Sequence, residues 1–343
     1  MTGGDRADAL RPDVPAQRLV TCTDLDAAIA YYSERLGFRL DMITPADAPR
    51  IALLSGDGVT LRLQVAAARD IAAVPADSAH AFTIARADAA DAWTTGRAGM
   101  QYRDLIPGRL GGRCVASHIR IPAAGPVSDY VHYHTLGFQM IFCKRGWVRV
   151  VNEDQGQPFV MRAGDCLLQP PTIRHRVLEA SMGLEVIEVS CPAEHETWRE
   201  YAFDLPTSCH DPDRRFGGQH FVRHLAANAA WQYDAESGCE FRESGIAQAT
   251  DGLARVRVLR IASSIDLQRR PIAPQIHRND VLFLLLLEGQ LDLISDAIGT
   301  HALGTGDACV IPAGADYALQ ARSPAQILEV AMAADGLGKA NPA

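Results

Sequence analysis

The sequence lacks closely spaced cysteine pairs and long apolar segments. Its eight cysteines form neither a CxxC pair nor a regular framework, which indicates reduced thiols rather than a disulfide scaffold. The strongest apolar run, Val281 to Leu287, ends at Glu288 and suits a buried strand rather than a membrane span. Residues 1–15 contain no apolar stretch of the secretory-signal type. We therefore expect a cytoplasmic protein with no membrane partner.

Blocks of basic residues are also missing. The formal net charge is −8, and lysine and arginine form no local cluster, so we expect no nucleic-acid partner. Hydrophobic residues make up 48% and charged residues 22% of the chain, which is ordinary for a globular protein. A chain of 343 residues exceeds one ordinary hydrophobic core, so several domains are expected.

The first third of the chain predicts a small α+β module. Residues 1–15 are rich in Gly, Asp and Pro, and we expect a disordered tail there. Period-two apolar patterns alternate with one amphipathic helix that starts at Thr23 or Asp24 and stops at Gly37. The predicted elements are a strand at 18–22, a helix at 24–36, and strands at 38–43, 51–54 and 59–65.

The segment from Thr23-Asp24-Leu25-Asp26 through Tyr31-Tyr32 to Leu36-Gly37-Phe38 resembles the opening of a vicinal-oxygen-chelate module. That superfamily includes glyoxalases and bleomycin-resistance proteins, and the resemblance covers residues 16–95. It implies metal ligands on the first and last strands, where this chain has Gln17 or Arg18 and Arg62. Arginine has no lone pair to donate, so we expect this module to be metal-free. Packing, dimerisation and covering the mouth of a neighbouring site remain its alternative roles.

Residues 80–110 contain an Ala- and Asp-rich stretch that predicts a helix, followed by a Gly-rich turn. Beyond this linker, short strand patterns are separated by Gly, Pro, Asn and Asp, as in sandwiches and barrels. The segment Gly164–Pro170 is similar to Gly306–Pro312, and Gly146 and Gly289 precede the two copies at similar distances. This internal repeat predicts two barrels of one type in tandem.

Three histidines form the most informative pattern in the chain. His132 and His134 are separated by one residue, so on a strand both side chains would point to the same side. His175 follows the turn-forming Pro170 and Pro171 into a second predicted strand. Imidazoles that converge from two strands suit a divalent transition metal.

These residues resemble the two motifs of the cupin superfamily. The first motif has a His-x-His pair, a Glu and a Gly, and the second has a Gly, a Pro, a Gly and a His. Gln139 stands in place of the usual Glu, and Thr172 in place of the second motif's later Gly. The other positions match, with His132, His134, Gly146, Gly164, Pro170 and His175.

The cupin resemblance implies a mainly β fold, in which two jelly-roll barrels in tandem follow the α+β module. We expect the metal-binding barrel at residues 96–205 and a degenerate, metal-free barrel at 206–338. In the second copy only His277 is retained, because Asn279, Leu282 and Tyr317 stand where the other ligands would be. One His with Asn and Tyr is a poor site for a divalent metal.

The resemblance also implies a function. Three-His cupins include oxygenases, which predicts a non-haem Fe(II) dioxygenase that uses O2 on a small anionic or enolisable substrate. His132, His134 and His175 would be the ligands, and Gln139 would be a weak ligand or would bind a water or the substrate. The alternatives are a non-oxidative isomerase, lyase or hydrolase that uses Zn, Ni or Mn, or a protein that binds a small ligand without catalysis. A homodimer is expected by the same resemblance.

Several other residues are weaker candidates for the cavity. Tyr130 would act as an acid or hydrogen-bond donor, or it would be an aromatic residue at the barrel rim. Arg120 would anchor a substrate carboxylate, or it would face solvent. Surface or interface positions are predicted for the histidines between the barrels, which are His195, His210, His220 and His224.

Overall fold

Two jelly-roll barrels follow a small α+β module, as the sequence predicts. The computed structural model describes residues 17–66, 80–89, 93–96, 99–235, 237–261, 275–276 and 279–333. Strands account for 53% of the structure and helices for 9%, which confirms the mainly β fold class. The predicted tail at 1–15 and His277 of the second barrel lie outside the described residues.

The α+β module is a four-stranded sheet with one helical segment. Its elements are β1 (Gln17–Cys22), α1 (Leu25–Ala30), β2 (Arg39–Thr44), β3 (Ile51–Gly56) and β4 (Val59–Val65). A π-helical turn, Tyr31–Arg35, continues α1. The strand order is β1-β4-β3-β2, and β1 runs parallel to β4.

Local sequence explains the boundaries of this module. The Asp24 carboxylate accepts a hydrogen bond from the Ala27 N–H at 2.9 Å and so caps α1. Gly37 has a φ of +72°, a conformation that ends the helical segment and favours glycine. Leu25 of α1 packs against alternate strand residues in a small apolar core, and these are Ile43, Ala52, Leu54, Leu61 and Leu63.

The helix expected within residues 80–110 is wrong for the described part of that segment. Short strands occur there instead: β5 (Thr83–Ala85), β6 (Thr94–Thr95) and β7 (Gln101–Asp104), before a 3-10 turn at Pro107–Gly112. Ile84 of β5 pairs with Cys309 and so covers a sheet edge of the second barrel. Hydrogen bonding to an open sheet edge therefore overrides local helix propensity at Thr83–Ala85.

The first barrel consists of two facing sheets. Its strands are β8 (Val115–Ile121), β9 (Gly125–Pro126), β10 (His132–Thr135), β11 (Phe138–Arg145), β12 (Trp147–Asn152), β13 (Phe159–Arg162), β14 (Cys166–Leu168), β15 (His175–Ala180), β16 (Leu184–Cys191) and β17 (Glu196–Arg199). Three short strands follow: β18 (Arg215–Phe216), β19 (Gln219–His220) and β20 (Val222–His224). One sheet has the order β17-β10-β15-β12-β13, with β9 beside β15. The other has the order β20-β14-β11-β16-β8-β7-β6.

The second barrel repeats this plan. Its elements are a 3-10 turn (Ala226–Asn228), β21 (Gln232–Asp234), β22 (Cys239–Glu243), α2 (Ile246–Ala249), β23 (Ala254–Ile261), β24 (Gln275–Ile276), β25 (Val281–Glu288), β26 (Gln290–Ser295), β27 (Gly299–Gly304), β28 (Ala308–Ile311), β29 (Asp316–Ala321) and β30 (Ala325–Met332). One sheet has the order β21-β22-β23-β30-β25-β28-β5, and the other has the order β24-β29-β26-β27.

The two barrels share an apolar core between their outer faces. Phe138 of the first barrel and Phe283 of the second are both fully buried in this shared core. Cys191 and Met332 contact each other across it, with 3.6 Å between their sulfur atoms. Strand alternation explains the arrangement, because outward residues form the shared core while inward residues face each barrel's own interior.

The module is continuous with the first barrel through backbone hydrogen bonding. Met42 and Ile43 of β2 pair with Trp198 and Thr197 of β17, so one sheet runs from the module into the barrel wall. This pairing fixes the loop after β2 relative to the barrel interior. Across the described residues, no helix is long and apolar enough to cross a membrane.

Truncating Phe283 should test the shared core. Phe283→Ala would leave a cavity in a fully buried site, and we expect the free energy of unfolding to fall by about 3–5 kcal/mol. Tyr233→Ala is the control, because Tyr233 is 62% exposed and its loss should change stability by about 0.5 kcal/mol or less. Denaturant titration measures both variants. Equal stability of the two variants would show that the barrels do not depend on this packing.

Candidate metal centre

Strand register gathers three histidines at one end of the first barrel. His132 and His134 lie on the inner side of β10, and His175 begins β15. His132 pairs directly with His175 across the two antiparallel strands. All three side chains are buried. The sequence predicted this meeting from residue spacing, and the antiparallel pairing of β10 with β15 produces it.

The three imidazoles are close enough to share one cation. One ring nitrogen from each histidine lies within 4.8 Å of the others. The ring centroids of His132 and His175 are 4.2 Å apart, and that of His134 is 5.2 Å from each. Within the described residues, this is the one group of three His, Cys, Asp or Glu side chains that meets such a distance criterion.

Hydrogen bonds at Nδ1 fix the orientation of two of the rings. The Nδ1 of His132 lies 2.8 Å from the Tyr130 carbonyl, and that of His175 lies 3.0 Å from the Ile173 carbonyl. A carbonyl oxygen only accepts, so each Nδ1 carries the proton in the neutral ring. Each Nε2 then has the lone pair that a metal ligand requires.

Polar side chains also lie beside the rings of His134 and His132. The Nδ1 of His134 is 3.0 Å from the Thr197 hydroxyl on β17. An Asp129 oxygen lies 3.7 Å from the Nδ1 of His132, and the other oxygen of this carboxylate accepts the Val177 N–H at 2.9 Å. A buried carboxylate beside an imidazole increases the basicity of the ring as a ligand.

The donor set fits a divalent transition metal. Three neutral imidazoles suit Fe(II), Zn(II), Ni(II) or Cu(II) better than Mg or Ca, which prefer oxygen ligands. Because the three rings come from one barrel wall, the side of the site that faces the cavity remains available to other ligands.

The centre opens into a cavity inside the first barrel. Val, Ile, Leu and Met side chains from both sheets line about half of its wall. Its polar wall includes the three histidines together with Ser117, Gln169, Glu188 and His195.

Gln139 lies on β11 with the same inward parity as Ile141, and it is 1% exposed. Its Nε2 has no hydrogen-bond partner among the described residues, and its backbone carbonyl accepts the Gln169 N–H at 3.0 Å. The cavity wall includes the side chain of Gln169 but not that of Gln139. A ligand role for Gln139 therefore stays a prediction.

The structure corrects the role expected for Arg120. The cavity is lined by the alternate β8 residues Val115, Ser117, Ile119 and Ile121, so Arg120 faces the other way. Its Nε donates to Gln101 Oε1 at 2.6 Å, and its guanidinium lies 3.9 Å from the centre of the Trp93 ring. Arg120 therefore cannot anchor a substrate inside this cavity.

Tyr130 contributes to the site in a different way from the one expected. Its carbonyl orients His132, and its ring packs edge-on against the His132 ring at 5.8 Å. The Arg199 guanidinium covers the Tyr130 ring at 4.5 Å. The Tyr130 side chain is not part of the described cavity wall, so an acid or donor role inside the cavity is not supported.

His195 was expected at the surface or at an interface, and this expectation is wrong. It is 7% exposed, lines the cavity, and lies 5.3 Å from the His134 ring. Its Nδ1 donates to the Pro192 carbonyl at 3.0 Å, which leaves Nε2 as an acceptor. Burial lowers the pKa of His195, so the ring is neutral near pH 7. Its spacing in the sequence carried no signal of this position.

Glu188 is a second cavity residue that sequence reasoning missed. It lies on β16 opposite Ile141 and Ser117, and it accepts a hydrogen bond from the Ser190 hydroxyl at 3.2 Å. A signal existed in the sequence, because Glu188 has the same strand parity as the apolar Leu184 and Val186. A charged residue on the inward side of a strand is uncommon without a role.

The loop after β2 of the α+β module reaches the cavity. Pro45, Ala46 and Asp47 form part of its wall. The loop is held by three contacts, which are the Thr44 hydroxyl donating to the His195 carbonyl at 2.9 Å, an ion pair of Asp47 with Arg109, and an ion pair of Arg50 with Glu194. This placement agrees with one of the roles considered for the module, which is to cover the mouth of a neighbouring site.

Two of the ligand-equivalent positions of the second barrel, Leu282 and Tyr317, are buried. Leu282 and Tyr317 belong to a buried cluster of Leu, Ile, Ala and Cys side chains. The pKa of the Tyr317 hydroxyl is raised by burial. Because His277 lies outside the described residues, the metal-free interpretation of this barrel stays a prediction.

Removing a histidine should lower metal content and stability together. His132→Ala or His175→Ala takes away one of three donors, and a metal that binds only the native state stabilises it by mass action. We expect the metal-to-protein ratio and the melting temperature to fall in both variants, whereas His277→Ala should keep the wild-type ratio. Elemental analysis and calorimetry measure these values. An unchanged ratio in the first two variants would place the site elsewhere.

Comparison with known proteins adds evidence on the fold. No protein-family model and no curated protein sequence matches the chain. Among solved structures, an oxalate decarboxylase superposes with a TM-score of 0.52 at 14% identity, covering 73% of this chain and 77% of that one. A variant of the Bacillus subtilis oxalate decarboxylase gives a TM-score of 0.51 at the same identity and coverage. A salicylate 1,2-dioxygenase from Pseudaminobacter salicylatoxidans gives 0.47 at 17% identity, over 65% and 71% of the two chains. The similarity to oxalate decarboxylase, together with the strand order, shows that this chain has the two-barrel cupin fold.

Proposed function

We propose that this chain is a metal-dependent cupin enzyme that acts on a small organic molecule inside its first barrel. The observation that carries the proposal is the convergence of His132, His134 and His175 at the wall of a cavity inside the first barrel. Structural sites for metals are closed by protein ligands on all sides, whereas catalytic sites keep positions available for substrate. The cavity beside the triad supports the second kind.

A non-haem Fe(II) dioxygenase is the leading form of this proposal. Fe(II) would supply redox chemistry with O2, and Zn(II), Ni(II) or Mn(II) would supply Lewis acidity. His132, His134 and His175 are neutral donors, so they leave the charge of a +2 ion uncompensated and favour an anionic or enolisable substrate group. A substrate that packs against the apolar walls would displace water from the triad and so protect reactive species from hydrolysis.

A non-oxidative reaction is the second candidate, and Glu188 and His195 favour it. Both side chains line the same cavity as the triad, and both can accept a proton. Isomerases, lyases and hydrolases need such groups to transfer protons at the substrate. In this reading Glu188 or His195 would take a proton from the substrate, and an ion held by His132, His134 and His175 would supply Lewis acidity there.

The loop after β2 of the α+β module completes the wall in either reaction. Pro45, Ala46 and Asp47 limit access of water to the triad, and the ion pairs of Asp47 and Arg50 hold the loop in place. Its resemblance to one vicinal-oxygen-chelate module supports a covering role without a metal of its own. Homodimer formation stays a prediction that light scattering of the purified protein tests.

Oxygen consumption distinguishes the two reactions. Protein loaded anaerobically with Fe(II) is mixed with aerated aromatic diols, 1,3-diketones and thiols in an oxygen electrode. A dioxygenase should consume about one O2 for each substrate converted, and His175→Ala should abolish the uptake. Turnover with Zn(II) or Mn(II) and without O2 uptake would instead select the non-oxidative reaction. Absence of turnover with every metal and substrate class would leave a non-catalytic binding protein.

Replacing Glu188 tests the proton-transfer role. Glu188→Gln keeps the shape of the side chain and removes its basicity, so we expect kcat to fall by roughly 10²-fold with unchanged metal content. Glu185→Gln is the matched control, because Glu185 lies on the same strand but pairs with His118 and Lys144 outside the cavity. Steady-state kinetics with metal analysis measure both variants. Equal kcat values for the two would remove Glu188 from the chemistry.

A further inference from the structure

The cavity extends from the triad along the whole first barrel. Gln139 of β11 pairs with Ser190 of β16, and Ser190 pairs with Val115 of β8. These residues lie near the triad because one turn contacts both: the Gln169 N–H donates to the Gln139 carbonyl, and the Thr172 N–H donates to the His134 carbonyl. At the other end of β8, Ile121 pairs with Leu184, and both line the cavity. Six residue steps along β8 correspond to roughly 20 Å.

The part of the cavity away from the triad is apolar. Its wall there includes Met100, Ile121, Val148, Met161, Leu184 and Val186. Among the described wall residues other than histidine, Arg176 is the one cationic side chain, and it is exposed. A substrate with an anionic far end would lose its hydration in this region without gaining a buried cationic partner.

The duplicated barrels differ at corresponding inward positions. The motif glycines align the two barrels, Gly146 with Gly289 and Gly164 with Gly306. This alignment shows which inward residue of the first barrel corresponds to which inward residue of the second. Three of these positions carry valine in the first barrel and leucine in the second, and they are Val148 and Leu291, Val150 and Leu293, and Val177 and Leu319.

Leu291, Leu293 and Leu319 all belong to the buried apolar cluster of the second barrel, whereas the three valines line the cavity of the first. Protein interiors are normally packed without large voids. An apolar cavity beside the triad therefore indicates space that a ligand occupies.

We infer that the substrate of the first barrel has an extended apolar body attached to one metal-binding polar group. The polar group would lie at His132, His134 and His175, and the body would lie along the valine-lined part of the cavity. The inference rests on the proposed function of this site. Water released from the apolar wall and from the substrate would drive binding.

Two ligand series test the inference separately from the metal. In the first, straight-chain alcohols from butanol to decanol are titrated calorimetrically into metal-free protein. The dissociation constant should fall by up to about fourfold per added methylene until the cavity is full. In the second, alkyl hydroxamic acids of the same lengths are added to Co(II)-loaded protein, and visible absorption reports ligation. Their affinity should rise with chain length in parallel with the alcohols.

Variants at adjacent positions give a matched control. Val148→Phe puts an aromatic ring into the cavity, and Arg149→Phe puts the same ring on the outer face, where Arg149 is about half exposed. Val148→Phe should weaken decanol binding at least tenfold with little effect on acetohydroxamate, and Arg149→Phe should change neither. If Val148→Phe does not fold, the triple change Val148→Leu, Val150→Leu and Val177→Leu fills the space with side chains that the second barrel already tolerates.

The outcomes of these experiments separate the apolar-body inference from the proposed metal-dependent function. If acetohydroxamate changes the Co(II) spectrum but affinity is independent of chain length in both series, the apolar-body inference is overturned and the metal site stands. If the alcohols bind with the expected length dependence but Co(II) is not retained, the metal-dependent function fails and the apolar site stands. Equal decanol affinity in Val148→Phe and Arg149→Phe would also overturn the inference.

Discussion

The pairing of His132 with His175 across two antiparallel strands is the constraint on which the site depends. Directly opposed residues in such a ladder lie close together, and the next residue on the same side of β10 is His134. A shift of one residue in either strand would turn the imidazoles toward the outer face. The Tyr130 and Ile173 carbonyls then select the ring tautomer. Backbone geometry therefore sets both the position and the donor atoms of the triad.

Duplication of one barrel has produced two different interiors. In the second barrel, Glu329 is buried and pairs with Arg257 at 2.6 Å, at the position on the ladder that Glu188 and Ser117 occupy in the first. An ion pair satisfies the carboxylate inside a filled barrel. In the first barrel, the carboxylate of Glu188 instead faces a cavity that also contains three imidazoles. The second barrel contributes to the shared core, and the first barrel contains the candidate site.

The sequence predicted the parts that depend on short-range patterns. Period-two spacing placed His132 and His134 on one side of a strand, and the repeated glycines and prolines revealed two barrels. Asp24 and Gly37 marked the helical segment of the module, because capping and positive φ are local requirements. These features need no knowledge of which strands become neighbours.

The features that the sequence did not predict depend on long-range contacts. His195 enters the cavity because β17 pairs with both β10 and β2, and nothing near it in the chain signals this. Arg120 has the parity of an outward residue, but only the pairing of β8 with β16 shows which side of the strand faces inward. Residues near Thr83 form a strand because an edge of the second barrel lies beside them. In each case the deciding partner is distant in sequence.

X-ray absorption spectroscopy of the metal-loaded protein tests the central claim most directly, because it reports the ligands of the ion itself. For Zn(II) we expect nitrogen or oxygen scatterers at about 2.0–2.1 Å from the ion, with the multiple-scattering pattern of three imidazoles. A spectrum with sulfur ligands, or one without imidazole scattering, would show that the three histidines do not hold the metal.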